Sequence, residues 1–151
     1  MTSGPLVAAL ALWLLSASAS AAMNTCTVIF DQGQELQVPV ARTLEEQAAG
    51  LAHVPDPGPG MVFVWDTPAI RAFWMKDTPK PLTGVWIGED GKIHSIQVMS
   101  PETDEAHFSV WPVIAVLEVP LGVLESHGIT KLSRVASSSC FSVRDRPQAA
   151  G

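Results

Sequence analysis

The residues with the clearest potential for chemistry are a lysine and a glutamate beside apolar segments. Lys76 follows Phe73-Trp74-Met75 and precedes a proline-rich loop, while Glu118 is the one charged residue in the apolar run 113–119. A partly buried lysine needs a partner, and Glu118 is the natural candidate. The two residues could line a polar pocket, or they could form a structural ion pair that adds little net stability.

The predicted pocket combines polar and aromatic side chains at a strand end, where loops commonly carry binding groups. Exposed tryptophans suit stacking on sugar rings or apolar ligands, so Trp74 and Trp111, near loops, are candidate ligand contacts. Trp65 and Trp86 are predicted to fill the core. The predicted ligand-binding residues are Trp74, Lys76, Asp77, Thr78 and Glu118.

Catalytic and metal-binding motifs are not found in the sequence. It contains no G-x-S-x-G, and its four histidines are far apart, as expected of solvated single residues. His107 lies near Glu102, Asp104 and Glu105, a group that fits a solvated loop better than a weak cation site. We therefore predict no catalytic residues, no metal site and no cofactor.

Alternating and β-branched apolar residues predict about eight short strands that would position these side chains. Gly88-Glu89-Asp90-Gly91 predicts a hairpin turn between two of them. Pro39 cannot donate to a strand ladder, so its strand is predicted at a sheet edge. The predicted strands span residues 26–30, 36–40, 61–65, 71–75, 82–87, 92–99, 113–119, 132–136 and 140–143.

Two short helices are predicted between the strands. Thr43 and Glu46 have the spacing of a capping box, and Gly50 is a natural helix stop. Residues 120–127 could form a second helix with Pro120 at its first position. Because neither helix is long enough to serve the crossovers of a parallel sheet, we predict a mainly antiparallel β-sandwich.

Residues 1–22 resemble a secretory signal peptide. They carry no charged side chain, and the apolar run of ten from Leu6 to Leu15 is followed by small residues of A-x-A type. Such a run is too short to span a bilayer, although a short membrane anchor is the alternative. We predict a cleaved leader at 1–22, one domain at 23–144, a disordered tail at 145–151, and a secreted or periplasmic protein.

The two cysteines, Cys26 and Cys140, both follow the predicted leader. In an exported domain, such a pair predicts one disulfide that ties the first strand of the mature chain to the last strand. Two buried free thiols are the alternative.

The balance of charge limits the classes of partner. Lys and Arg total 9 against 15 Asp and Glu, for a net charge of −6 in 151 residues. So few cations do not supply a basic patch, which argues against a nucleic-acid partner. We predict a monomer with no membrane span after leader cleavage and a small molecule or saccharide as ligand.

Several segments resemble the family called domain of unknown function 192. Its pattern is roughly G-M-L-F-V-F, then F-W-M-K-N-T, then P-L-D, and this chain has GMVFVW at 60–65, FWMKDT at 73–78 and PLT at 81–83. The resemblance covers about residues 26–136 and implies an exported, jelly-roll-like β-sandwich with no established activity. Asp77 and Thr83 replace the family's Asn and Asp, which implies an altered site if those residues form one.

Three functions follow as hypotheses. The first is a non-enzymatic exported domain that binds a small molecule, saccharide or envelope component near Lys76 and Glu118. The second is a hydrolase of unrecognised type that uses these two residues as an acid/base pair. The third is an interaction domain that docks a partner on the edge strand around Pro39.

Overall fold

A computed structural model describes residues 23–144 of the chain. The predicted leader at 1–22 and tail at 145–151 lie outside the described residues. The fold is mainly β with two short helices, which confirms the predicted fold class. In chain order the elements are β1 (Thr25–Phe30), β2 (Glu35–Ala41), α1 (Leu44–Ala49), β3 (Met61–Ala69), β4 (Ala72–Phe73), β5 (Leu82–Ile87), β6 (Ile93–Met99), β7 (His107–Phe108), β8 (Val113–Pro120), α2 (Val123–Ser126) and β9 (Val135–Ser138).

Seven strands form one mixed sheet in the order β6-β5-β8-β3-β2-β1-β9, and β4 pairs with β7 beside it. All neighbouring pairs are antiparallel except β2 and β3, which run parallel. Residues 42–60, which include α1 and a proline- and glycine-rich loop, are long enough to return the chain for this parallel pair. The sequence predicted the hairpin of β5 and β6, and the structure forms it around Gly91, whose φ is 77°.

Pro39 lies in an interior strand, so the edge position predicted for it is wrong. It is opposite Thr25 of β1, while β3 begins to pair with β2 only at Val40. The Val40 N–H donates to the Asn24 carbonyl oxygen beside β1, at 2.9 Å. Since N–H groups alternate sides along a strand, the nitrogen of Pro39 faces the other side, where no ladder bond is required of it.

The sheet curls until its two ends approach each other. Lys92 forms an isolated bridge with Arg134, and the Val135 N–H donates to the Gly91 carbonyl oxygen at 2.8 Å. The curl encloses an inner cluster with residues from all seven strands, and a second, outer cluster covers the opposite face of the central strands. The inner cluster includes Val28, Val38, Val62, Val85, Ile93, Leu117 and Val135. The outer cluster includes Met61, Phe63, Met75, Leu82, Trp86, Met99 and Val116.

A disulfide joins Cys26 of β1 to Cys140, with the two Cα atoms 5.3 Å apart. It fastens the segment that follows β9 to the start of the described sheet. The loop that it closes spans 114 positions, so the entropic model assigns it a stabilisation of about 4–5 kcal/mol.

Some predicted element boundaries are wrong. Residues 140–143 are not a strand, and the predicted strand at 71–75 is reduced to Ala72–Phe73. The second helix begins after Gly122 because Pro120 still belongs to β8, where it is opposite Leu82. At 71–75 and 140–143 the apolar residues Met75, Cys140 and Phe141 are buried by tertiary packing without being part of a regular ladder.

Candidate functional site

A cleft of about 410 Å³ opens on the outer-cluster side of the sheet, between α1 and the segment 71–78. We call it the α1 cleft. Ligand pockets commonly have volumes of about 300–1,000 Å³, so a small organic molecule would fit. Its lining is Leu44, Gln47, Ala48, Ala49, Gly50, Ala52, Phe63, Trp65, Arg71, Ala72, Phe73, Trp74, Lys76, Thr78 and Glu118.

The predicted capping box fixes the start of α1 at one side of this cleft. The Glu46 N–H donates to Thr43 Oγ1 at 3.1 Å, and Glu46 Oε2 accepts from the backbone N–H of Thr43 at 2.9 Å and of Arg42 at 2.7 Å. These hydrogen bonds, that of Thr43 first, lower the pKa of Glu46. The carboxylate of Glu46 therefore serves the helix start and does not line the cleft.

Gln47 attaches α1 to β3. Its Nε2 donates to the Val64 carbonyl oxygen at 2.9 Å, and its Oε1 accepts from the indole Nε1 of Trp65 at 3.1 Å. The sequence analysis missed Gln47, although its place one turn into a well-capped helix was a usable signal. This pair of bonds holds α1 against β3, whose residues Phe63 and Trp65 also line the cleft.

Glu118 is the polar centre of the cleft. It lies in β8 opposite Met61 of β3 and Gly84 of β5, with 4% of its surface exposed. Its carboxyl group has no hydrogen bond or ion pair with any residue in the described range 23–144. Burial raises the pKa of Glu118 to about 8, so the carboxyl group is mainly protonated at neutral pH.

Backbone packing holds the Glu118 segment in place. Gly60 has a φ of 97°, and a Cβ built on it would lie 2.0 Å from the Glu118 carbonyl oxygen. Only glycine allows β3 to begin this close to β8.

The predicted ion pair between Lys76 and Glu118 is not formed. Lys76 is exposed, and no ion pair within 4.0 Å joins these two described residues. The ammonium Nζ instead lies 6.0 Å from the centroid of the Trp74 ring. A flexible lysine at the mouth of the cleft keeps its hydration, whereas pairing with Glu118 would require it to be desolvated.

Arg71 is a second cation of the cleft, and the sequence analysis missed it. Its guanidinium lies over the Trp65 ring, 4.3 Å from the centroid. Nη2 donates to the Thr67 carbonyl oxygen at 3.3 Å, whereas the buried Nε has no acceptor among the described residues. Burial lowers the pKa of Arg71, yet arginine stays charged at neutral pH.

Aromatic rings form the apolar wall of the cleft. The Phe73 ring meets Phe63 edge to face at 4.9 Å, and it meets Trp65 and Trp86 at 6.2 Å each. Trp86 is fully buried, as predicted, and Trp65 is half-buried. Trp74 is 63% exposed and stands at the mouth, so the wall continues from the core to solvent.

Four of the five predicted ligand-binding residues line the α1 cleft, namely Trp74, Lys76, Thr78 and Glu118. Asp77 does not line it. Its backbone is left-handed, with φ 56°, and its carboxylate lies 4.0 Å from the His53 ring on another surface. The Thr78 hydroxyl donates to the Lys76 carbonyl oxygen at 3.3 Å, which stabilises this turn.

Thr83, the other position that departs from the family pattern, lies on the opposite face of the sheet. It is opposite Val119, one residue out of phase with Glu118. The α1 cleft is therefore built without either Asp77 or Thr83.

Groups of three or more His, Cys, Asp and Glu side chains arranged to hold a metal ion are absent from residues 23–144. No helix in this part of the chain is long and apolar enough to cross a membrane.

Comparisons with known proteins give the family from one family model and similar folds from solved structures. The model of the family DUF192, described as Uncharacterized ACR, matches residues 27–137. A solved structure from Sinorhizobium meliloti 1021, described as a "putative transcription regulator", is 26% identical with a TM-score of 0.68, covering 78% of this chain and 94% of that chain. A protein of unknown function from Novosphingobium aromaticivorans DSM 12444 is 30% identical with a TM-score of 0.66, covering 75% and 84%. No curated protein matches the chain.

Proposed function

We propose that this chain, which belongs to the DUF192 family, is an exported, non-enzymatic domain that binds a small molecule in the α1 cleft. The observation that carries the proposal is the carboxyl group of Glu118, buried at 4% exposure, facing the cleft and without a protein partner. Its position in the lining makes this carboxyl group available to a molecule in the cleft, and none of the described residues competes for it. A ligand that bonds to Glu118 would therefore explain an ionisable residue inside the apolar strand β8.

Export is supported by two features. Residues 1–22 have the pattern of a signal peptide, and Cys26 and Cys140 are disulfide-bonded, as expected in an oxidising compartment. A secreted or periplasmic location follows from this proposal.

The other two hypotheses receive less support. A hydrolase with Lys76 and Glu118 as a coupled pair would need the contact that the structure does not form. A partner docked on an edge strand at Pro39 is excluded because β1 and β3 flank β2. A role in transcription, the one printed for the Sinorhizobium protein, is disfavoured for this chain because a net charge of −6 opposes binding to nucleic acid.

A thermal-shift screen of the protein purified after export tests the proposal with sugars, lipids and metal ions. Trp74→Ala removes an aromatic contact from the cleft, and Trp111→Ala is the matched control because it is 61% exposed and does not line the cleft. We expect one ligand class to raise the Tm of the wild type and of Trp111→Ala, with a smaller rise for Trp74→Ala. No rise with any class, or equal responses of the two variants, would contradict the proposal.

A further inference from the structure

We infer that the ligand of the α1 cleft is an amphipathic organic acid whose carboxylate accepts a hydrogen bond from Glu118 and faces Arg71 and Lys76. This inference rests on the proposed function and adds the chemical class of the ligand. Three independent features of the cleft support it: the charge of its lining, the occupied faces of its tryptophans, and its apolar wall.

The lining of the cleft is positive in a protein that is negative overall. Its charged or ionisable residues are Arg71, Lys76 and Glu118; α1, β4 and β5 contribute none to it. Asp66 of β3 lines a different cleft, on the side of Ser138–Ser142. With Glu118 protonated, the two cations have no compensating anion in the lining, so an anionic ligand is favoured.

The protonated form of Glu118 supplies a hydrogen-bond donor that a carboxylate lacks. A ligand carboxylate would accept a hydrogen bond from this O–H group and would give the Glu118 side chain the partner that it lacks among the described residues. Ionised Glu118 would repel the same ligand. Burial, which raises the pKa of Glu118 to about 8, keeps the donor form present at neutral pH.

A cationic ligand is disfavoured by the aromatic side chains. Arg71 already lies over the Trp65 ring at 4.3 Å, and Lys76 is 6.0 Å from the Trp74 centroid. One face of each of these two rings therefore lies next to a cation of the protein, which would repel an amine placed nearby.

The rest of the cleft lining is mainly apolar and suits the apolar part of a ligand. Phe63 and Phe73 contact each other edge to face, and the alanines of α1 leave space beside them. An aromatic or aliphatic group could pack there with its acid end toward Glu118.

Three compounds that share a phenyl group on a four-carbon chain but differ in their polar end test the ligand class by titration calorimetry at pH 7. They are 4-phenylbutyrate, 4-phenylbutyramide and 4-phenylbutylamine. We expect the acid to bind about tenfold to hundredfold more tightly than the amide, and the amine to bind most weakly. Lys76→Gln should weaken binding of the acid more than that of the amide. Lys80→Gln is the control, since Lys80 lies outside this cleft.

The dependence on pH gives a second readout. Wild-type affinity for the acid should fall about tenfold per pH unit above about 8, because the Glu118 donor is lost. Glu118→Gln keeps a neutral donor and should bind the acid with little change from pH 7 to 9.

The outcomes separate the inference from the proposed function. Tighter binding of the amine than of the acid, weakened by Trp74→Ala, would overturn the inference and leave the cleft as a ligand site. Failure of all three probes, with a response to sugars in the thermal-shift screen, would also overturn the inference alone. Failure of the probes and of the entire screen would overturn both.

Discussion

Replacing Glu118 with glutamine should change how the stability of the protein depends on pH. Burial raises the pKa of Glu118 from its ordinary value of 4.5 to about 8. Between these values the folded protein retains a proton that the unfolded chain has lost, so this contribution to stability is complete below pH 4.5 and decreases as pH rises.

The magnitude follows from the size of the shift. Each pKa unit corresponds to about 1.4 kcal/mol, so the loss is about 5 kcal/mol over the whole interval and about 3 kcal/mol by pH 7. Glutamine has a similar shape and does not ionise. Glu118→Gln should therefore have nearly the stability of the wild type at pH 5 and be several kcal/mol more stable at pH 8.

Urea unfolding of both proteins at pH 5, 6, 7 and 8 measures this difference, and groups common to both proteins cancel. Glu35→Gln is the control, because Glu35 is an exposed glutamate of β2. Its stability relative to the wild type should be constant over the same range. If the free energies of unfolding of Glu118→Gln and the wild type changed equally with pH, the reasoning about a buried neutral carboxyl group would be refuted.

Three further predictions concern the stability of the fold and the attachment of α1. Replacing Cys26 and Cys140 with alanine should lower the free energy of unfolding by about 4–5 kcal/mol in urea, and a thiol assay of the denatured wild type should find no free thiol before reduction. Gly60→Ala should destabilise the fold by more than the ~1–2 kcal/mol of left-handed backbone strain, because its Cβ would meet the backbone of Glu118. Gly33→Ala is the control, since Gly33 has φ 85° but open space around it and should show only that strain. Equal losses of stability in the two variants would contradict this. Gln47→Ala should cost about 1–3 kcal/mol and should red-shift tryptophan emission, because water would replace the Gln47 amide at the Trp65 indole N–H. An unchanged spectrum would argue against the attachment of α1 to β3.

Local sequence signals predicted those parts of the fold that depend on neighbouring residues. The capping box of Thr43 and Glu46 is formed as predicted, and the Asp90-Gly91 turn connects β5 and β6. In both cases the residues that determine the local structure lie within a few positions of one another in the sequence. The strong apolar run at 113–119 is likewise found in an interior strand of the sheet, β8.

Features that depend on tertiary register were not predictable in the same way. Pro39 can occupy an interior strand because β3 meets β2 only from Val40 onward, and no local pattern encodes that offset. Arg71 was assigned to a strand, yet its cation–π contact with Trp65 depends on how the β3–β4 connection folds.

The candidate site was predicted in part for the same reason. A glutamate within an apolar strand is evident in sequence, so Glu118 could be singled out. The sequence also predicts Lys76 as its partner, because this lysine follows three apolar residues, but the Lys76 side chain is exposed at the mouth of the cleft. Whether two charges meet depends on desolvation as well as on proximity.

The protonation of Glu118 is the central claim, and a carboxyl ¹³C NMR titration of glutamate-labelled protein measures it most directly. Comparison with Glu118→Gln assigns the signal. The account predicts a titration midpoint close to 8 for Glu118 in the ligand-free protein. A midpoint near the ordinary value of 4.5 would mean that the carboxylate is solvated or paired, and it would contradict both the neutral donor and the ligand class inferred from it.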